Sequence, residues 1–163
     1  MSISVLGAGA FGTALAIALA KHRPGVRLWA RDAAQLRDMQ TVRCNQKRLP
    51  NMGFPEALEI AADLVECAAA EIVLLAVPMQ QLGGFLSALP QKNSAKYLVS
   101  CCKGIDLATG KGASALLEAQ FPNAQAGVLT GPSFAMDLAA GSPTALSLAC
   151  ADAAVGLYLQ EQL

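Results

Sequence analysis

The chain has 163 residues, of which 54% are hydrophobic and 15% are charged, a balance typical of one compact globular domain. Twelve Lys and Arg residues are balanced by twelve Asp and Glu residues, and no basic run is present. This composition argues against nucleic-acid binding, which needs a basic surface along the phosphates, and aromatic residues for stacking bases make up only 5%.

The N-terminal region Val5–Ala20 is almost continuously apolar and superficially resembles a targeting segment. No Lys or Arg precedes it, and glycines interrupt it at turn-like positions. It is also shorter than the roughly 18 to 20 apolar residues that span a bilayer. We therefore expect neither a signal peptide nor membrane insertion.

Short apolar runs alternate with helix-like segments along the rest of the chain, which predicts a parallel sheet covered by helices. Predicted strands, in chain order, are Ile3–Leu6, Val26–Ala30, Ala57–Ile60, Ile72–Val77, Lys96–Cys101, Gly127–Thr130 and Thr144–Ala149. Predicted helices are Phe11–Lys21, Ala33–Arg43, Leu64–Cys67, Gln80–Ala88, Gly112–Gln120, Ser133–Ala140 and one beginning near Asp152. The fold class is therefore α/β, with a Rossmann-type doubly wound, mostly parallel sheet flanked by helices.

The first predicted strand runs into a glycine-rich loop with the pattern G-x-G-x-x-G, formed by Gly7, Gly9 and Gly12. In such loops the first glycine permits a tight turn, the second admits a pyrophosphate, and the third lets the helix pack on the strand. The helix start also favours a negatively charged ligand. The position of the motif, at the first strand-to-helix turn, predicts a dinucleotide-binding site.

The residues at the end of the second strand determine whether a dinucleotide-binding site accepts the ribose 2′-hydroxyl of NAD or the 2′-phosphate of NADP. Here the sequence is Leu28-Trp29-Ala30-Arg31-Asp32. Arg31 stands where an acidic residue would bind the ribose hydroxyls of NAD. It can receive a 2′-phosphate or lie along the adenine. This favours NADP, or the use of both cofactors, without excluding NAD, because Asp32 is adjacent. Alternatively, Arg31 and Asp32 form a solvated pair, with Asp32 capping the next helix.

The stretch Arg43–Pro55 is polar and contains two prolines and a glycine, which predicts a long loop. Such loops at strand ends often contact ligands. The last segment, Ala151–Leu163, begins an amphipathic pattern without a stop signal. We expect residues 1–163 to form one domain that is truncated near its C-terminal end.

The five cysteines favour a reducing, cytoplasmic environment. Their number is odd, none is spaced as C-x-x-C, and a bridge between the adjacent Cys101 and Cys102 would be strained. We expect free thiols that are mostly buried as small apolar groups, and no metal site.

Six groups of residues resemble bacterial NAD(P)-dependent glycerol-3-phosphate dehydrogenases in order and spacing. They are Gly7–Ala16, Leu28–Arg31, Asn45 with Leu49–Asn51, Leu75–Pro78, Lys103–Ile105 with Thr109–Gly110, and Thr130–Ala135 with Gly141–Thr144. The resemblance spans essentially the whole chain. The glycine loop is shared with many dehydrogenases, whereas Lys-Gly-Ile and Gly-Pro-Ser-Phe-Ala at this separation are much more specific.

The resemblance implies a set of cofactor contacts. Ala10 and Phe11 would contact the pyrophosphate, and Arg31 would contact the adenosine side. Lys103 would touch both cofactor and substrate, and Ala135 would line the cofactor. The resemblance therefore implies NADP or NAD as the cofactor.

The same resemblance implies a substrate site formed by Lys103, Gly131 and Ser133. Physical reasoning agrees with it, since a cation suits a phosphate and a carbonyl that gains negative charge. Backbone N–H groups and a hydroxyl at a strand end likewise suit an oxyanion. One alternative is that Lys103 is only a solvated lysine in a loop. The other is that Gly131, Pro132 and Ser133 form only a turn followed by a helix N-cap.

Two positions depart from the family pattern. Relatives commonly carry Tyr where this chain has Arg48, and Arg where it has Gly83. The single histidine, His22, follows the first predicted helix and is expected to be solvated there. The resemblance assigns no catalytic residue to this chain, because the family's catalytic lysine belongs to a helical domain expected beyond Leu163.

The resemblance implies an oxidoreductase that transfers a hydride between NAD(P)H and dihydroxyacetone phosphate to give sn-glycerol 3-phosphate for glycerophospholipid synthesis. It further implies a phosphorylated small-molecule substrate and a homodimer. One alternative is another dehydrogenase of the same superfamily, acting on a hydroxy acid or a sugar nucleotide. A second alternative is a non-catalytic module that senses NAD(P).

Overall fold

The computed structural model describes residues 1–90 and 95–163. The strands are β1 (Ile3–Leu6), β2 (Val26–Trp29), β3 (Cys44–Asn45), β4 (Leu49–Gly53), β5 (Leu58–Ala61), β6 (Ile72–Leu75), β7 (Tyr97–Ser100), β8 (Gln125–Thr130) and β9 (Ser147–Cys150). The helices are α1 (Ala10–His22), α2 (Ala33–Val42), α3 (Leu64–Ala68), α4 (Met79–Ala88), α5 (Ala113–Gln120), α6 (Ala135–Ala140) and α7 (Ala153–Gln162). All seven predicted strands and all seven predicted helices have a counterpart in these elements.

The main sheet has seven strands in the order β5-β2-β1-β6-β7-β8-β9. Every pair is parallel except β8 with β9, which is antiparallel. From β1 the chain first builds outward through β2 and β5, and then returns to add β6 on the other side of β1. This arrangement confirms the predicted doubly wound, mostly parallel sheet, and places its topological switch between β1 and β6.

Two hydrophobic cores cover the two faces of the sheet. Alternate side chains of β6 enter different cores, Ile72 and Leu74 on one face and Val73 and Leu75 on the other. Helices α1, α2, α6 and α7 contribute to the first core, and α3, α4 and α5 contribute to the second. Burial on both faces explains why β6 is an unbroken apolar run and why β1 and β7 are apolar except for one serine each.

The prediction of a loop across Arg43–Pro55 is wrong. Arg43 adopts a left-handed conformation (φ 55°) that ends α2, and the chain then forms an antiparallel hairpin of β3 and β4. The strands are short and their register is irregular, with Asn45 opposite Leu49. A two-residue strand is too short to show the alternation of polar and apolar residues that identifies strands in a sequence.

Aspartates begin three of the helices. Asp32, Asp63 and Asp152 each accept hydrogen bonds from two backbone N–H groups of the first turn, in α2, α3 and α7 respectively. These contacts satisfy donors that lack a partner within the helix. The interpretation of Asp32 as a helix cap is therefore confirmed.

All five cysteines are free; four are buried and Cys150 is partly buried. Across residues 1–90 and 95–163, no helix combines the length and the hydropathy that a membrane span requires. His22 is exposed as the last residue of α1, at the opposite end of that helix from the glycine loop.

Candidate functional site

A cleft of about 770 Å³ lies at the carboxyl ends of β1, β2 and β6. This is the switch point of the sheet, where open α/β folds bind ligands, and the volume lies within the roughly 300–1,000 Å³ usual for small-molecule sites. The cleft is lined by Gly7–Gly9, Trp29–Asp32, Gln35, Lys47, Arg48, Ala76–Pro78, Gln81, Gly84, Phe85 and Ala88.

The glycine loop is packed tightly against the chain that follows β6. Gly7 has φ 119°, and a Cβ atom there would overlap the carbonyl oxygen of Ala76. At Gly12 a Cβ atom would overlap the carbonyl oxygen of Gly7 and lie 2.8 Å from the Ala76 Cβ atom. Side chains at these positions would therefore push α1 away from the sheet.

Gly9 is in a different environment. An added Cβ atom would meet nothing within 4 Å, and the residue lines the cleft. The backbone at Gly9 is therefore open to close approach by a ligand, as the pyrophosphate position of a dinucleotide site requires.

The start of α1 favours an anion. Gly9 is the N-cap, no side chain of the described residues caps the helix, and its first turn contains no acidic residue. Ala10 and Phe11 are the first helical residues, so their N–H groups have no acceptor within the helix. These donors and the helix dipole together suit a phosphate group.

A buried hydrogen-bond network fixes the glycine loop from behind. The Asn45 side chain, 1% exposed, donates from Nδ2 to the Ala8 carbonyl (3.0 Å) and to the Thr13 hydroxyl (2.8 Å). Gln35 donates from Nε2 to the same Ala8 carbonyl at 2.9 Å. The hairpin and α2 thus hold the loop in place. Sequence reasoning did not identify Gln35, and it included Asn45 only as part of a family motif.

The charged end of the cleft contains Arg31 and Asp32. The Asp32 carboxylate accepts from the N–H groups of Ala34 (2.8 Å) and Gln35 (3.4 Å). These bonds hold the pKa of Asp32 below its usual value, and the nearby Lys47 contributes to the same shift. Arg31 is exposed and lines the cleft. Asp32 is thus engaged at the helix start, while Arg31 remains accessible to a ligand.

The predicted substrate residues lie at the ends of neighbouring strands. Lys103 follows β7, Gly131 follows β8, and the Lys103 ammonium donates to the Gly131 carbonyl at 3.3 Å. The Ser133 hydroxyl is buried and has no hydrogen-bond partner in the described part of the chain. It lines a second cavity of about 200 Å³, which Asp137 and Ser142 also line.

The alternative reading of Ser133 as a helix N-cap is wrong, because Phe134 occupies that position and α6 begins at Ala135. A buried hydroxyl without a partner is costly unless a ligand or water satisfies it. The Ser133 hydroxyl, which lacks a hydrogen-bond partner among the described residues, is therefore consistent with a role in ligand binding.

The large cleft does not include every predicted contact. Ala10, Phe11, Gly12, Lys103 and Ala135 are absent from the residues that line it. Ala135 is partly buried and packs against the first core at the start of α6, a helix that lies against α1. The cleft therefore unites the glycine loop with Arg31, whereas Ser133 lines a separate, smaller cavity and Lys103 lines neither of the two.

Residues 2–156 match the family described as the N-terminus of NAD-dependent glycerol-3-phosphate dehydrogenase. The chain belongs to this family. The resemblance seen in the sequence is thereby confirmed, and the glycine loop, Arg31 and Lys103 all lie within the matched region.

Curated members of the glycerol-3-phosphate dehydrogenase family align with the entire chain. A glycerol-3-phosphate dehydrogenase [NAD(P)+] from Paracoccus denitrificans (strain Pd 1222) is 52% identical over 163 residues, and one from Ruegeria sp. (strain TM1040) is 49% identical over 163 residues. These alignments cover 100% of this chain but 50% and 51% of the two relatives. The chain thus spans about half the length of the curated relatives it matches.

A solved structure supports the same relationship. The glycerol-3-phosphate dehydrogenase of Coxiella burnetii has a TM-score of 0.88 and 30% identity, and the match covers 99% of this chain and 50% of that one. Fold and sequence comparisons therefore point to the same family.

Proposed function

We propose that this chain forms the NAD(P)-binding part of a glycerol-3-phosphate dehydrogenase. The reaction is reversible hydride transfer between NAD(P)H and dihydroxyacetone phosphate, giving sn-glycerol 3-phosphate. The observation that carries this proposal is the open backbone of Gly9 at the start of an uncapped helix, facing a cleft at the switch point of the sheet. The matched family supplies the substrate class.

The described residues fit a bound dinucleotide. The cleft has room for one, the start of α1 presents N–H groups for the pyrophosphate, and Arg31 is available to the adenosine half. When bound, the nicotinamide supplies or accepts the hydride. Positioning the two reacting molecules against each other is the contribution of the sheet.

Lys103 and Ser133 are proposed to hold the substrate. The Lys103 ammonium can leave its 3.3 Å contact with the Gly131 carbonyl and stabilise negative charge on the substrate oxygen. The partnerless Ser133 hydroxyl can donate to a phosphate or carbonyl oxygen of the substrate. No residue of this chain is proposed as the proton donor.

The cellular role follows the family. We propose a cytoplasmic homodimer that provides sn-glycerol 3-phosphate for glycerophospholipid synthesis. Family membership argues against a dehydrogenase for hydroxy acids or sugar nucleotides. A non-catalytic NAD(P)-sensing module is the second candidate, and it is favoured only if binding occurs without turnover.

The test is cofactor oxidation with dihydroxyacetone phosphate by the protein expressed from its own gene. Because Lys103 is proposed to stabilise charge that develops in the reaction, Lys103→Gln should lower kcat/KM by about 100-fold or more. The control Lys111→Gln removes an exposed lysine of the same loop and should leave the rate unchanged. Binding of NADPH without any oxidation would support the sensing module instead.

A further inference from the structure

The side chain of Gln80 binds the backbone of the loop that carries Lys103. Gln80 is the second residue of α4 and is exposed. Its Nε2 donates to the Ile105 carbonyl at 2.8 Å, and its Oε1 accepts from the Leu107 N–H at 3.0 Å. Within residues 1–90 and 95–163, neither backbone group has another hydrogen-bond partner. A primary amide offers a donor and an acceptor side by side, so this one side chain holds the loop at two points.

A second attachment lies on the other side of Lys103. The Cys102 thiol is buried and donates to the Val77 carbonyl at 3.0 Å, and the Cys102 N–H donates to the Ser100 hydroxyl at 3.1 Å. Lys103 therefore lies between two attachments, through Cys102 before it and through Ile105 after it. Both lead to the short stretch of chain between the end of β6 and the first turn of α4.

The far end of the loop is closed by Asp106, which is 8% exposed. Its carboxylate accepts from the N–H (3.0 Å) and from the hydroxyl (2.6 Å) of Thr109. Its own N–H donates to the Lys111 carbonyl at 2.9 Å. The loop is therefore closed on itself, and Gln80 fixes it relative to α4 as a unit.

The position of the Lys103 ammonium depends on this backbone. The ammonium is a point charge at the end of a flexible side chain, and its contact with the Gly131 carbonyl is 3.3 Å long. A flexible side chain does not locate its own charge, so the loop must locate it. A displacement of about 1 Å in a reacting group can slow a reaction by about 100-fold.

We propose that Gln80 is a positioning residue, which fixes the loop after β7 so that the Lys103 ammonium meets the substrate oxygen at the ends of β7 and β8. This inference rests on the proposed function, because Gln80 acts through Lys103 on the same substrate. Gln80 does not line the large cleft, so its removal should slow the reaction without weakening the dinucleotide.

Oxidation of NADPH with dihydroxyacetone phosphate, by the protein expressed from its own gene, tests this role. Gln80→Ala should lower kcat/KM by about 10-fold or more, mainly through kcat, because the charge that Lys103 stabilises develops during the reaction. NADPH affinity, measured by fluorescence titration, should change by about two-fold or less, since no residue that lines the cleft is altered. In a Lys103→Gln background, the same substitution should change kcat/KM by about two-fold or less, because the charge to be positioned is gone.

Amide hydrogen exchange gives a readout that is independent of turnover. The Leu107 N–H depends on Gln80 for its hydrogen bond, so its protection should fall by about 10-fold or more in Gln80→Ala, while Val99 within β7 keeps its protection. The matched control is Gln120→Ala. Gln120 ends α5, and its side chain makes no hydrogen bond to the part of the chain that the structure describes. This control should leave both the rate and the exchange at Leu107 unchanged.

Three results would overturn the positioning role. They are an unchanged kcat/KM in Gln80→Ala, an equal loss of rate whether or not Lys103 is present, and an unchanged exchange rate at Leu107. The proposed function fails separately, if the unaltered protein does not oxidise NADPH with dihydroxyacetone phosphate at all.

Discussion

Two glycines three residues apart at the start of α1 are in opposite environments. Gly12 faces the Gly7 carbonyl and the Ala76 side chain so closely that no Cβ atom fits. Gly9 has free space and backbone angles of φ −73° and ψ −180°, which other residues adopt without strain. Gly12 is therefore required by the fold, whereas Gly9 is required only by what the cleft binds.

Gly9→Ala should weaken the binding of NADPH and NADH by about ten-fold or more, because the new methyl group occupies space that the pyrophosphate needs. The free energy of unfolding should change by about 1 kcal/mol or less, since nothing is displaced and only the helix cap is altered. Fluorescence titration and urea unfolding measure the two effects separately.

Gly83→Ala is the matched control for this prediction. Gly83 lies in α4, a Cβ atom there meets nothing within 4 Å, and it does not line the cleft. This variant should bind both cofactors normally and be slightly more stable, because alanine is the better helix former. Unchanged cofactor binding by Gly9→Ala would show that the ligand does not approach Gly9.

Individual site residues differ in how far the sequence reveals them. The glycine loop is a local pattern, so its spacing identified Gly7, Gly9 and Gly12 directly. Gln35 and Lys47 reach the cleft from α2 and from a hairpin turn, and no spacing rule connects them with the loop. Their contribution depends on tertiary contacts, which a single sequence does not display.

The β3–β4 hairpin is the element in which the observed site differs most from the site predicted from the sequence. It was predicted as a loop, yet it fixes the glycine loop through Asn45 and carries Lys47 and Arg48 to the cleft. Helix α2 adds a second attachment through Gln35. A polar segment can therefore be rigid when its buried polar groups are fully hydrogen-bonded.

Asn45→Ala should lower the free energy of unfolding by about 1–3 kcal/mol, because it removes two buried hydrogen bonds and leaves the Thr13 hydroxyl without the donor that Asn45 provides, although the Ala8 carbonyl keeps its bond from Gln35. It should also weaken NADPH and NADH binding to a similar extent, since it loosens the glycine loop that both require. Urea unfolding and cofactor titration provide the measurements.

The neighbouring residue provides the control for the hairpin prediction. Gln46 is exposed in the same turn, and its replacement by alanine should change the free energy of unfolding by about 0.5 kcal/mol or less. A stability of Asn45→Ala equal to that of Gln46→Ala would show that the buried network does not stabilise the hairpin.

At the scale of the whole molecule, burial on both faces of the sheet makes the strands recognisable in the sequence. The same burial makes the direction of each strand harder to predict from the sequence. The largely apolar strands β1, β6 and β7 are fully buried, so their composition alone indicated them. The antiparallel direction of β9 is not encoded in such a run, because it depends on the path of the chain through α6. The sequence therefore predicted a mostly parallel sheet without identifying which edge strand is reversed.

Burial on both faces also encloses thiols in both cores. Cys101 belongs to the first core and Cys67 to the second. Burial raises the pKa of Cys67 to about 11 and that of Cys101 to about 12. The folded chain therefore keeps both thiols protonated at pH values where the unfolded chain, with a thiol pKa near 8.5, releases these protons.

Stability should consequently fall in alkaline solution. The contribution of each thiol is fully present below about pH 8.5, and it is lost as the pH rises towards the folded value, at up to about 1.4 kcal/mol per pH unit. Urea unfolding between about pH 8 and pH 10.5 should show a smaller decline in Cys67→Ala than in the unaltered chain. Val73→Ala, which removes apolar volume from the same core without removing a thiol, should keep the original slope. Identical slopes for Cys67→Ala and the unaltered chain would mean that the Cys67 thiol ionises equally readily in the folded and unfolded states.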